Sequence, residues 1–278
     1  IIGADNYSNE FFNCIKPNSL VIRYGVGYDN IPIKICNKRL ILVANTPGTL
    51  EDSVAEHTIA LLLSSARKIP QINRSIQKGV WPIESGIELK GKTLAIIGLG
   101  NIGFRTATIA KLGFQMRIAA FDKKTNIDRR ILNIVDLYSS NFSKVVADAD
   151  FISLHLSLNK ETKMFIDEEK LKLMPRKAIL INTSRGELVN EDALYKALKN
   201  KEIAGAALDV FYHEPYKPMG GDLRNLDNVI CTSHVASNTD SANKRMSILC
   251  IKNALNFYLG KINDLTLIPE SSVGSSDG

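Results

Sequence analysis

The residues Gly91-Lys92-Thr93-Leu94-Ala95-Ile96-Ile97 run without a break into Gly98-Leu99-Gly100-Asn101-Ile102-Gly103, and no other feature constrains the fold as tightly. The apolar run reads as a buried strand, a helical pattern follows through 105–112, and a second apolar run ends at Asp122. Each glycine has a mechanical reason. Gly98 permits the tight turn, Gly100 lets the backbone approach a pyrophosphate, and Gly103 lets the helix lie close on the strand. The helix start, with Asn101 and Ile102, offers N–H groups and its positive dipole end to phosphates. Asp122 stands nearly twenty residues past Gly103, where a carboxylate can bond the adenosine ribose hydroxyls. A bare glycine pattern of this kind also occurs in plain structural turns, but here strand, helix, second strand and terminal acid are all in place. A carboxylate at 122 repels a 2′-phosphate, so the expected cofactor is NAD rather than NADP. Lys123 and Lys124 pull the other way, since either could screen a phosphate.

The alternation extends along the chain. Short apolar runs at 20–24 and 40–44 read as strands, and Tyr28-Asp29-Asn30-Ile31-Pro32 between them is turn chemistry leading into a short helix. A long helical pattern covers 52–78, with Val54, Ile59, Leu62, Leu63 and Ala66 spaced for burial. Further strand candidates stand at 93–98, 116–121, 151–156, 178–182, 203–210 and 229–233, with helices between them. A last helix at 239–259 carries apolar residues on one face and returns the chain toward its first segment. The expected fold is therefore α/β with a doubly wound parallel sheet of the Rossmann type. Its organisation is discontinuous: a dinucleotide domain over 51–238 inserted into a smaller domain made of 1–50 and 239–278.

Composition excludes little and agrees with this. The longest apolar stretch, 58–63, is far too short for a transmembrane span. A net charge of +6 would invite nucleic acid, but 35 basic and 29 acidic residues are scattered, with no basic run interleaved with aromatics. Neither nucleic acid nor membrane is an expected partner, and a mildly basic surface suits an anionic cofactor and substrate. Cys14, Cys36, Cys231 and Cys250 form no CxxC pair and no zinc-ligand spacing, so no metal is expected. Buried free thiols in the cytoplasm are the plain reading. Ile1-Ile2-Gly3-Ala4 reads as the end of a buried strand, which suggests a first domain that begins before Ile1. The Ser/Gly-rich tail, 271–278, reads as disordered.

Nicotinamide chemistry on a carbonyl needs a proton donor and a cation for the substrate. Of four histidines, His57 falls inside the long helix and reads as structural, and His155 ends a strand and reads as a supporting group. His234 lies just past the last strand candidate, at the carboxyl edge where open α/β sheets bind ligands. Glu214 follows the neighbouring strand at the same edge, and a carboxylate bonded to an imidazole fixes its tautomer and raises its pKa. Arg185, in Asn182-Thr183-Ser184-Arg185-Gly186, follows a third strand, and its planar fork matches a substrate carboxylate. Spacing alone leaves open whether these are a trio or three unrelated surface residues.

Several separate motifs in one order then carry a resemblance. Tyr24-Gly25-Val26-Gly27-Tyr28-Asp29-Asn30-Ile31, Asn45-Thr46-Pro47-Gly48, Ser53-Val54-Ala55-Glu56-His57-Thr58, the glycine loop, Asn182 to Gly186, Asp209 to Phe211 with Glu214-Pro215, and His234-Val235-Ala236 are similar to those of the D-isomer-specific 2-hydroxyacid dehydrogenases. The match covers nearly the whole chain. The resemblance implies an NAD domain inserted into a smaller flavodoxin-like substrate domain, here shortened at its N-terminus. It implies that His234 protonates the carbonyl oxygen as hydride arrives, that Glu214 pairs with His234, and that Arg185 holds the substrate carboxylate together with backbone amides near Val26 and Gly27. Asp209 corresponds to the residue that bonds the nicotinamide carboxamide; Ser157, Thr183 and Ser184 lie at further cofactor contacts. A homodimer is implied, with the long helix and its following arm at the interface.

The chain departs from the family where Ser157 and Ser233 stand in place of frequent prolines, which costs rigidity rather than chemistry. A generic D-2-hydroxyacid dehydrogenase acting on a small 2-oxo acid such as glyoxylate or hydroxypyruvate is the first expectation. The second is a D-3-phosphoglycerate dehydrogenase. Arg23 matches a basic position near the substrate phosphate there, or else makes a surface or interdomain ion pair, while Gly3 and Ile83 stand where other basic groups would be expected. A third, of another class, is an NAD(H)-sensing corepressor-like binding protein, which can keep the same trio.

Overall fold

A computed structural model describes residues 1–5, 7–123, 131 and 133–269; Lys124 and the tail 271–278 lie outside the described residues. The chain divides into two units, Ile1–Leu50 with Ser237–Gly278, and Glu51–Ala236. The return to the first unit thus comes at Ser237, two residues before the expected 239.

In the larger unit a seven-stranded sheet has the order β5-β4-β3-β6-β7-β8-β9, parallel throughout. The strands are β3 (Thr93–Ile97), β4 (Arg117–Phe121), β5 (Leu137–Ser139), β6 (Phe151–Leu154), β7 (Ile179–Asn182), β8 (Gly205–Leu208) and β9 (Val229–Cys231). Adjacent residues of one strand feed two different cores. Ala95 and Ile97 join Ile152, Leu154, Leu180 and Leu208 on one face, while Leu94 and Ile96 join Phe151, Ile179, Ile181 and Ala207 on the other. That is why these strands read as unbroken apolar runs rather than as alternating ones. Each fully buried Leu or Ile among them contributes about 1.5–3 kcal/mol.

Three expectations change. The single helix of 52–78 is two helices, Glu51–Ala66 and Ile69–Gln77, with Lys68 between them in the left-handed region at φ 53°. Pro70 is the cause: it has no N–H for the Ala66 carbonyl and would collide with it in a continuous helix. Ile87 supplies the missing donor, at 2.8 Å. Second, β5 was not expected, because its three residues are all partly exposed and carry no readable period. Third, only Cys36 and Cys250 are buried; Cys14 and Cys231 are exposed, and all four are free.

In the smaller unit β1 (Leu20–Ile22) and β2 (Leu42–Ala44) pair in parallel, and Ile2 extends the sheet by bonding Ile22 and Tyr24. Phe12, Val21, Cys36, Ile41, Val43 and Ile268 form its core. The final helix, Asp240–Tyr258, is capped by Thr239. Its residues Ile248, Ile251 and Leu255 are exposed. The buried side instead ends in asparagines, with Asn253 bonded twice to Thr266 and Asn256 to the Asp264 carbonyl. These amides brace the returning segment, which bonds β2 through Ile268 and Val43. No helix among the described residues is long and apolar enough to cross a membrane.

Candidate active site

Register places the site. Phe121, Ile97, Leu154, Asn182, Leu208 and Cys231 are successive cross-strand partners, so the six strands end in one row. The residues that follow them, Asp122, Gly98, His155, Thr183, Asp209 and Thr232, therefore share one edge of the sheet. Strand order reverses about β3, which is flanked by β4 and β6, and the crevice at such a reversal is where α/β sheets take a nucleotide.

The glycine loop fits that ligand. Gly98 has φ 97°, and a Cβ there would lie 2.8 Å from the His155 carbonyl carbon and oxygen. At Gly103 a Cβ would be 2.2 Å from the Gly98 oxygen, so helix and strand can approach only without one. Gly100 differs: a Cβ would meet no protein atom within 4 Å, which leaves the space above the helix start open for a phosphate. Gly100 caps the helix Asn101–Phe114 with no side-chain bond to its first N–H groups, as a phosphate-binding helix start requires. The Asp122 carboxylate accepts the Leu99 N–H at 2.9 Å, which fastens the acid to the loop. Ser157 is exposed on the loop after β6, and its carbonyl accepts the Thr162 hydroxyl. Thr183 is buried and shares a 2.8 Å hydroxyl contact with Thr58, while Ser184 donates to the Leu156 carbonyl. His155 contacts Ser153, and burial pushes its imidazole down to about 3, so it is neutral.

At the other end of the row, His234 Nδ1 and Glu214 Oε2 are 2.6 Å apart. Burial pushes the Glu214 carboxyl up, but bonds from His234 and the Phe211 N–H, with the charges of His234 and Arg185, leave it below the ordinary value of 4.5. Arg185 thus acts on the same pair electrostatically. Its turn is clamped by Asn182, whose amide donates to the Arg185 carbonyl and accepts the Ser184 N–H. His234 itself stands in the left-handed region, φ 55°, an uncommon conformation for a side-chain-bearing residue.

Asp209 holds it there. The His234 N–H donates to the Asp209 carbonyl at 2.7 Å. The fully buried Asp209 carboxylate accepts the Thr232 hydroxyl and the N–H groups of Val235 and Ala236. His57 Nε2 lies 3.4 Å from the same carboxylate and 3.2 Å from Thr232, so it is a satisfied internal histidine. Two supports escaped the sequence reading. A Cβ on Gly186 would fall 1.9 Å from the Phe211 carbonyl carbon, so the Arg185 turn and the Glu214 loop touch only because residue 186 is glycine. Glu191, buried, accepts the Tyr212 N–H at 2.6 Å, and burial raises its carboxyl. A glycine directly after the arginine was a cue to the first; Glu191 looks like any helix-start acid.

In the smaller unit, Val26 and Gly27 are half-buried in the loop after β1, where the Val26 carbonyl accepts the Asn45 amide. Arg23 is not a surface residue: it is buried, with its guanidinium donating to the Tyr24 carbonyl.

A family profile described as D-isomer specific 2-hydroxyacid dehydrogenase, NAD binding domain, matches residues 59–236. A glyoxylate reductase of Korarchaeum cryptofilum is 39% identical over 268 residues, 93% of this chain and 79% of the relative. A D-3-phosphoglycerate dehydrogenase of Archaeoglobus fulgidus is 38% identical over 256 residues, 90% of this chain but 47% of its own length. Among solved structures, a D-lactate dehydrogenase of Aquifex aeolicus complexed with NAD and lactic acid aligns with a TM-score of 0.85 at 31% identity, covering 98% of this chain and 85% of that one.

Proposed function

The chain belongs to the D-isomer specific 2-hydroxyacid dehydrogenase family, and from that premise we propose that it interconverts a small 2-oxo acid and its D-2-hydroxy acid with NAD(H). The observation that carries this reading is the His234–Glu214 contact of 2.6 Å at the sheet edge that also bears the glycine loop.

Bound NADH supplies the hydride. The protein's part is to hold and move charge. Glu214 bonds Nδ1 of His234, so the outward Nε2 carries the proton that passes to the substrate carbonyl oxygen. Running in reverse, the same nitrogen takes the hydroxyl proton. Arg185 pairs with the substrate carboxylate. Asp209 and Thr232 keep the His234 turn in its unusual conformation throughout. Gly98, Gly100 and Gly103 with Asn101 and Ile102 hold the pyrophosphate, Asp122 holds the adenosine ribose, and Ser157, Thr183 and Ser184 line the same edge.

Glyoxylate and hydroxypyruvate are the proposed substrates, in keeping with the glyoxylate reductase relative. A phosphorylated substrate is less well served, since Arg23 is buried against its own loop. A homodimer through the larger unit is supported by apolar residues left exposed on Ile69–Gln77 and the arm after it, among them Ile69, Val80, Trp81 at 83% and Ile83 at 95% exposure. Four free cysteines favour the cytoplasm. The test is NADH oxidation with glyoxylate, hydroxypyruvate and 3-phosphohydroxypyruvate. Turnover of the first two in preference to the third is expected. Tight NADH binding with no turnover of any 2-oxo acid would overturn the enzyme reading in favour of an NAD(H)-sensing binding protein.

A further inference from the structure

Lys123 follows Asp122 directly and would be the natural partner for a 2′-phosphate on the adenosine ribose. In the structure its ammonium is engaged elsewhere, 2.8 Å from a carboxylate oxygen of Glu161. Glu161 comes from the loop after β6, whereas Lys123 comes from the end of β4. Since β3 lies between those strands, the pair spans the end of the strand that carries the glycine loop. The position of Glu161 is built rather than incidental. Asn159 Oδ1 accepts the N–H groups of Glu161 and Thr162, and the Thr162 hydroxyl donates to the Ser157 carbonyl, which fixes the loop backbone. Both side chains are exposed, so the contact adds little to stability.

We propose that Glu161 is a specificity-determining residue for the cofactor: by engaging the Lys123 ammonium beside Asp122, it sets the adenosine end of the site against a 2′-phosphate and toward NAD(H). Among the described residues, Glu161 thus engages Lys123, the residue next to Asp122 in the chain. This rests on the nucleotide reading of the glycine loop.

Dissociation constants for NADH and NADPH, measured by calorimetry, test it apart from catalysis. In Glu161→Gln the ratio of the NADPH to the NADH constant should fall about fivefold, the scale of one unit charge a few ångströms away near water. Adding Lys123→Gln should restore the wild-type ratio, and high salt should shrink the single variant's change. A ratio unchanged in Glu161→Gln, or a change that survives Lys123→Gln, overturns the proposal while leaving the nucleotide site standing. Failure of the wild type to bind either nucleotide overturns that site and the proposal together.

Discussion

The glycine loop and the reaction edge lie on one row of strand ends and are built by opposite means. Around Gly98 and Gly103 the structure is steric and made of backbone: added Cβ atoms would sit 2.8 Å and 2.2 Å from neighbouring main-chain atoms. Around His234 it is electrostatic and made of side chains, with one imidazole held by Glu214 and its turn held by the buried Asp209 carboxylate. The cofactor end is thus specified by what is missing from six consecutive residues. The reaction end is specified by groups from three loops that the fold alone brings together. Mutations at the two ends should fail differently.

The largest effect should come where the reaction edge borrows the steric device. Gly186→Ala drives a Cβ into the Phe211 backbone, so stability should fall by about 3 kcal/mol or more, with activity lost as the Glu214 loop is displaced. An unchanged thermal midpoint would show that the two loops do not meet as described. Asp209→Asn comes next. It removes a buried charge while leaving the Val235, Ala236 and Thr232 donors to share one oxygen, and denaturant unfolding should show a loss of about 3 kcal/mol. If that variant kept full stability and turnover, the anchoring role would be wrong.

Glu214→Gln should be milder for folding and specific for chemistry, with kcat/KM down about 100-fold and NADH affinity little affected. Its stability cost carries a pH signature. The folded Glu214 carboxyl lies below its ordinary 4.5, so its contribution is present above that pH and is lost as pH falls through the folded value. The side chain is 36% exposed, so after screening the difference between wild type and variant should be about 1 kcal/mol or less. Thermal melts at neutral pH and below pH 4 should show it shrinking; a difference that grows on acidification would contradict the assigned pairing.

This contrast also explains what the sequence made legible. The glycine loop and Asp122 could be read because turn, helix start and strand follow one another in the chain; only the approach of Gly98 to the His155 backbone lies beyond that local reading. Arg185, Glu214 and His234 could be placed at an edge but joined only by resemblance, since their meeting depends on strand register, which single runs of apolar residues do not encode. The same limit hid β5, three half-exposed residues, and the Asp209 clamp, whose donors lie more than twenty positions away. Pro70 was a local signal, and the helix break at Lys68 follows from it. The final helix shows a further limit: apolar periodicity marks a face without saying what is buried, and here Ala242, Met246 and Cys250 are buried together with Asn253 and Asn256.

His234→Ala separates the two ends most directly when turnover and NADH affinity are measured on the same preparation. Reduction of glyoxylate should fall by about 10²–10⁴-fold, the usual worth of a positioned general acid, while the NADH dissociation constant stays within about twofold. Turnover near that of the wild type, or NADH affinity lost in step with it, would contradict the assignment of proton transfer to His234.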